Sequence, residues 1–103
     1  MNAVGSSIPS ARELDAETVA AATVFVDRRE SALNEAGDLL LAGFGEEIAA
    51  ELGEVLTGEH PGRSRADELT VFKSLGLGVE DLAAAELVVR KAREQGVGTE
   101  VAY

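Results

Sequence analysis

The spacing of apolar positions changes several times along the chain, and each change marks a predicted element. Thr23-Val24-Phe25-Val26-Asp27 is β-branched and aromatic, and reads as a strand buried on both faces. Residues 12–22 have helical composition, with Asp15 as an N-cap ahead of Ala16, Glu17, Val19 and a run of alanines. Asn2-Ala3-Val4-Gly5 reads as the end of a strand that runs into a loop. Strand, helix and strand in this order predict a βαβ unit. A short strand at a terminus is poorly held unless other strands flank it, so this one needs neighbours.

Residues 28–35 read as a short helix stopped near Gly37. Leu39, Leu40 and Leu41 read as buried, and Gly43 and Gly45 loosen the chain after them. Residues 46–57 read as a helix with Ile48, Leu52, Val55 and Leu56 on one side and Gly58 as its C-cap. A polar loop with Pro61, Gly62 and Arg63 then leads to the apolar run from Leu69 to Phe72, which predicts a strand. That run turns at Gly76 and Gly78 into the longest helical pattern, with Val79, Leu82, Ala85, Val89 and Ala92 at spacings of three and four. Glu80 and Asp81 suit the positive end of the helix dipole, Lys91 and Arg93 the negative end. Glu86 and Arg90 stand four apart as a predicted pair. Gly96 ends the helix, and residues 99–103 read as a short terminal strand. The order predicts an α/β fold.

The totals narrow the classes. With 103 residues the chain is sized for one domain with a core. Hydrophobic residues at 46% and charged residues at 27% are globular proportions, and aromatics at 4% leave the core to Ala, Val and Leu. A net charge of -10 repels phosphate backbones and anionic membranes, which argues against a nucleic-acid or membrane-surface partner. The same acidity also fits solubility or a high-salt surface. The absence of Cys excludes disulfides, thiol catalysis and thiolate metal sites, and fits a cytoplasmic protein. No apolar run approaches the roughly 18 residues of a membrane span, and the first residues lack a signal peptide's basic and apolar regions.

Candidate chemistry is sparse. Gly76-Leu77-Gly78-Val79-Glu80-Asp81 mimics the start of a dinucleotide fingerprint, but Asp81 takes the third glycine's place and would face a pyrophosphate. A turn into a helix is the favoured reading. Gly5-Ser6-Ser7 could form a small anion nest, with an ordinary loop favoured instead. His60, the single histidine, reads as solvent-exposed, and no second His or Cys supports a metal site. The pairs Glu46/Glu47 and Glu80/Asp81 are adjacent, so on a helix they point about 100° apart and form no catalytic dyad.

The residues themselves go further. Asn2-Ala3-Val4-Gly5-Ser6-Ser7-Ile8-Pro9, Arg12-Glu13-Leu14-Asp15, Val24-Phe25-Val26-Asp27 and Arg29-Glu30 resemble the ornithine cyclodeaminase/mu-crystallin family. So do Glu35-Ala36-Gly37-Asp38-Leu39-Leu40, Glu51-Leu52-Gly53-Glu54-Val55-Leu56-Thr57-Gly58, and the stretch from Thr70 to Gly76 with Val79-Glu80-Asp81. The resemblance covers the family's C-terminal third. It implies the last strands of a Rossmann-type NAD(P)-binding domain over residues 1–75. Residues 76–103 would be the helix and strand returning to the substrate and dimerisation domain. The glycine-rich fingerprint would lie upstream of Met1.

The resemblance also implies roles. Asn2, Ala3, Val4 and Gly5 would line the nicotinamide side of NAD or NADP, with Ser74 at the cofactor and Leu75 beside it at the substrate. Ser7 takes the position at which true ornithine cyclodeaminases carry an aspartate. A serine cannot replace a carboxylate in proton transfer at neutral pH, so deaminating cyclisation is disfavoured. Ser7, Pro9 and Arg12-Glu13-Leu14-Asp15 look more like the mu-crystallin/ketimine reductase branch, which reduces cyclic imines by hydride transfer. That branch's arginine after this serine is Ile8 here. The implied function is the C-terminal part of an NAD(P)-dependent ketimine reductase or amino-acid dehydrogenase, inactive alone. A homodimer or an N-terminal partner chain is expected, with a small imine or amino acid as substrate. The alternatives are a non-enzymatic remnant or assembly module, and a lyase fragment.

Overall fold

The computed structural model describes residues 1–45 and 47–102. Four parallel strands form one sheet in the order β1 (Asn2–Ala3), β4 (Thr70–Lys73), β2 (Thr23–Val26), β3 (Ala50–Glu51). The helices are α1 (Ala16–Ala21), α2 (Arg29–Glu35), α3 (Gly37–Leu40), α4 (Leu52–Leu56) and α5 (Gly78–Gln95). The α/β expectation is met. β1, α1 and β2 are parallel strand, helix and strand, but β4 lies between the two strands.

The register divides the sheet into two unequal faces. Side chains alternate along a strand, so Val24, Val26, Val71, Lys73 and Ala3 share one face, and all are buried. Val19 of α1, Ala32 of α2, and Ala36 and Leu39 beside and within α3 close over Val24 and Val26, with Ile48 at the rim. The other face carries Asn2, Phe72 and Phe25 in one row. With Leu52 and Val55 of α4 they line an open cavity of about 300 Å³. His60 packs edge-on to Phe25 at 5.7 Å, and its Nδ1 accepts the Gly62 N–H at 3.0 Å. It is half-buried rather than solvent-exposed, because the loop folds over the aromatic face. Glu68 pins the other end of that loop. The Thr23 hydroxyl and the Ser64 N–H donate to its carboxylate and hold its pKa down at about 2.

Several boundaries move for tertiary reasons. α1 starts at Ala16, where the Asp15 side chain accepts the Thr18 N–H, so residues 12–14 stay outside it. The helix expected over 46–57 begins only at Leu52, and Glu46 lies outside the described residues. Ala49 donates to the Val24 carbonyl, and Ala50–Glu51 pair with β2, so a free strand edge overrides local helix preference. Glu51 and Glu54 then cap α4 reciprocally. The short helix does stop near Gly37, since α2 ends at Glu35 with Ala36 as its C-cap, and Gly37 then begins α3. A Cβ there would stand 2.0 Å from the Ala11 carbonyl oxygen, so glycine permits a close backbone crossing. Of the three leucines only Leu39 is buried, since α3 is a single turn with one inward face. No strand forms over residues 99–102; Gly96 and Gly98, at φ 64° and 90°, turn this segment, and the Tyr103 part of the expectation lies outside the described residues.

α5 stands apart. None of its residues is buried, and it shares no substantial packing with another element. Val79, Leu82 and Val89 of its apolar stripe are exposed. The expected Glu86–Arg90 pair is not formed among the described residues, and both side chains are exposed. No helix is long and apolar enough to cross a membrane among the described residues.

Two glycine substitutions separate close approach from ordinary helix preference. Gly37→Ala should destabilise the chain by about 1–3 kcal/mol or more through overpacking. Gly53→Ala, in α4 with nothing within 4 Å of the new Cβ, should stabilise it by up to about 1 kcal/mol. Urea denaturation of both variants checks the contrast.

Candidate functional site

All four strands point the same way, so their carboxyl ends share one edge. Ala3 and Val26 both stand opposite Lys73 in register. The next residues, Val4, Ser74 and Asp27, therefore leave the sheet together. The Ser74 N–H donates to the Ala3 carbonyl at 3.1 Å and extends the β1–β4 pairing into the loops. Ligand crevices of open α/β sheets lie at this kind of edge.

A buried ion pair supports the edge from below. Lys73 and Asp38 are both fully buried, with Nζ 2.9 Å from Oδ2. Asp38 Oδ1 accepts the N–H groups of Glu13 and Leu14, each at 2.7 Å. Lys73 Nζ also donates to the Ser6 carbonyl and lies 3.4 Å from Glu13 Oε1. Glu13 Oε1 in turn accepts the Gly5 N–H at 2.8 Å. Two points of the β1–α1 loop and one residue of α3 thus converge on one ammonium. Burial pushes the Asp38 pKa up, but Lys73 and the Leu14 and Glu13 N–H groups outweigh it and hold it below the ordinary carboxylate value.

A second aspartate ties β2 to β4. Asp27 Oδ2 accepts from the Ser74 hydroxyl at 3.0 Å, the Leu75 N–H at 2.8 Å and the Gly76 N–H at 2.7 Å. Its Oδ1 accepts the Arg28 N–H at 2.9 Å. Burial again opposes ionisation, and the Gly76, Leu75 and Arg28 N–H groups with the Ser74 hydroxyl overcome it, so its pKa is lowered. Both aspartates are ionised at neutral pH, and neither has a proton to give.

The residues expected from the sequence fall as follows. Asn2 and Ala3 form β1, with Asn2 exposed on the aromatic face and Ala3 buried on the other. Val4 and Gly5 are exposed beside half-buried Ser74 and Leu75. Leu75 packs against the core. Ser7 is exposed at the tip of the loop. The anion nest is not formed: Gly5 donates to a carboxylate, and the Ser6 hydroxyl donates to the Ala11 carbonyl at 2.6 Å. Gly76, at φ 86°, makes the turn, and Gly78 opens α5, as the turn reading requires. No cluster of three metal-ligating side chains occurs among the described residues. Lys73, Asp38, Asp27 and Glu13 were not singled out by sequence. The available signal was a lysine two residues after Val71, on the inward face of an apolar strand.

Parallel strands, helices on the buried face and a polar edge at the strand carboxyl ends define a segment of a Rossmann-type α/β domain. A sequence profile of the ornithine cyclodeaminase/mu-crystallin family matches residues 1–96, and the chain belongs to that family. Ketimine reductase mu-crystallin of Mus musculus is 54% identical over 88 residues, covering 85% of this chain and 27% of the mouse protein. The structure of Thermococcus litoralis Δ(1)-pyrroline-2-carboxylate reductase with NADH and L-proline superposes with a TM-score of 0.83 at 44% identity. That match covers 97% of this chain and 32% of that one. An archaeal alanine dehydrogenase dimer with bound NAD gives a TM-score of 0.78 at 33% identity, covering 99% of this chain and 33% of that one. The chain spans about a third of the length of these relatives.

The ion pair generates a testable pattern. Lys73→Met leaves Asp38 buried without a counter-ion and should cost about 3–5 kcal/mol, only part of it recovered in Lys73→Met/Asp38→Leu, which leaves the Glu13 and Leu14 N–H groups without an acceptor. Because the folded Asp38 pKa is lowered, its stabilisation is present above the unfolded value and lost as pH falls through the folded one. Denaturation midpoints should hold from neutral pH down to about 5 and drop below about 4. The double variant should show a shallower acid limb.

Proposed function

We propose that this chain carries the nicotinamide-facing and substrate-facing edge of an NAD(P)-dependent reductase acting on cyclic ketimines or related amino acids. The observation that supports this most is the side-by-side exit of β1 and β4, which brings Val4 next to Ser74 at the carboxyl edge. These residues fit the nicotinamide end of a dinucleotide. Backbone groups at Val4 and Gly5, a hydroxyl at Ser74 and an apolar side chain at Leu75 suit a flat, polar-edged ring. They do not fit the pyrophosphate end. The chain has no G-x-G-x-x-G run, and the Gly5 N–H already serves a carboxylate. The bound coenzyme would supply a hydride to an imine carbon. This chain's part would be to orient the ring, exclude water with Leu75 and hold the substrate near Ser7.

Ser7 and the two ionised aspartates favour imine reduction over deaminating cyclisation of ornithine, since none of them can protonate an amino leaving group at neutral pH. Residues 76–103 would belong to the substrate and dimerisation unit. One observation also favours a role in assembly: β1 has no outer strand among the described residues, and α5 offers Val79, Leu82 and Val89 to solvent. A homodimer, or a chain carrying the phosphate loop, would cover these surfaces.

The test is reconstitution. The chain alone should show no NADH or NADPH oxidation with Δ(1)-pyrroline-2-carboxylate. Co-expressed with the N-terminal two thirds of a family reductase, it should restore that oxidation. Ammonia release from ornithine by the reconstituted pair, without imine reduction, would instead assign a lyase. Turnover by the chain alone would refute its dependence on a second segment.

A further inference from the structure

We propose that Asp27 is a positioning residue whose single carboxylate sets both the direction in which α5 leaves the sheet and the orientation of the Ser74 hydroxyl. α5 has 18 residues and is roughly 27 Å long at 1.5 Å per residue, yet none of its side chains is buried. Its course therefore depends on the four residues before it. That turn has two holds. The Leu75 side chain packs on the core, and Asp27 takes the Leu75 and Gly76 N–H groups. Gly76, at φ 86°, supplies a conformation that other residues rarely adopt.

Both Asp27 oxygens act only as acceptors. Oδ1 faces the Arg28 N–H, and Oδ2 faces three donors. An asparagine cannot reproduce this. Its NH2 group would confront either the Arg28 N–H or the Leu75 and Gly76 pair. The carboxylate thus clamps the end of β2 to the turn after β4, and any unit carried on α5 takes its angle from that clamp.

The same bond fixes what Ser74 offers. Its proton goes to Asp27, and the Gly76 N–H approaches its oxygen at 3.2 Å. Toward the edge it presents a lone pair. A ligand group recognised there would be an N–H donor, such as a carboxamide or a protonated imine. This bearing on ligand chemistry rests on the coenzyme edge proposed above. The control of α5 does not.

The experiment needs no ligand. The chain has no Cys, so nitroxide labels can be placed at Glu35→Cys and Arg90→Cys, both exposed. Pulsed electron paramagnetic resonance should give one narrow distance distribution. Asp27→Asn should broaden it about twofold or more while circular dichroism still reports the helix. Ser74→Ala keeps the carboxylate and both N–H bonds, and should leave the distribution narrow. An Asp27→Asn distribution as narrow as that of the parent chain would overturn the proposal, leaving Leu75 packing as the hold. Amide exchange of the unsubstituted chain decides independently of whether that variant folds. Leu75 and Gly76 should exchange about tenfold or more slowly than Gly78. Equal rates at all three would sink the clamp.

Discussion

Lys73 carries its charge into the interior of the sheet, and the carboxyl edge is organised around how that charge is met. A buried ammonium costs several kcal/mol in desolvation unless its partners are close and themselves satisfied. Asp38 stands 2.9 Å away, and its other oxygen is filled by two backbone N–H groups. An apolar pair of the same volume would fill the space but leave those two N–H groups without an acceptor. What such a pair lacks is directed contact with the Ser6 carbonyl and, through Glu13, with the Gly5 N–H. The ion pair thereby ties down the loop that carries Ser7.

A sheet with one dressed face constrains the rest. Helices α1, α2 and α3 cover the Val24–Val26–Val71 side and give a closed core. The Phe25–Phe72 side has only the short α4 and the 59–68 loop, and keeps a cavity of about 300 Å³. Parallel sheets are normally covered on both faces. The chain spans about a third of its relatives' length, and its thinly covered aromatic face, its β1 edge, open among the described residues, and its unpacked α5 are all apolar or hydrogen-bonding surfaces of the kind further segments cover.

Much of this order is legible in the sequence. The Val24–Phe25–Val26 run, the Asp15 cap and the glycine turn into α5 are local signals, each decided within a few residues. The failures are non-local. Residues 49–51 carry a helical pattern but join β2, because an unfilled strand edge outweighs local preference. Gly37 follows the end of α2 as its sequence suggests, but only the Ala11 carbonyl, far away in sequence, explains why no Cβ is allowed there. His60 sits in a polar string, and its packing on Phe25 depends on how a loop folds back. For the site, family resemblance names the edge residues, whereas the groups that hold them are charges whose partners lie up to 67 residues away.

Asp27 and Asp38 solve the same problem in the same way, and this limits what the edge can bind. Each carboxylate stays ionised with the help of backbone N–H groups, joined at Asp38 by the Lys73 ammonium. An anion site needs those N–H groups free. Here the Gly5, Leu75 and Gly76 amides are already committed to carboxylates. At these three positions the edge therefore has no free amide donor to offer an anion.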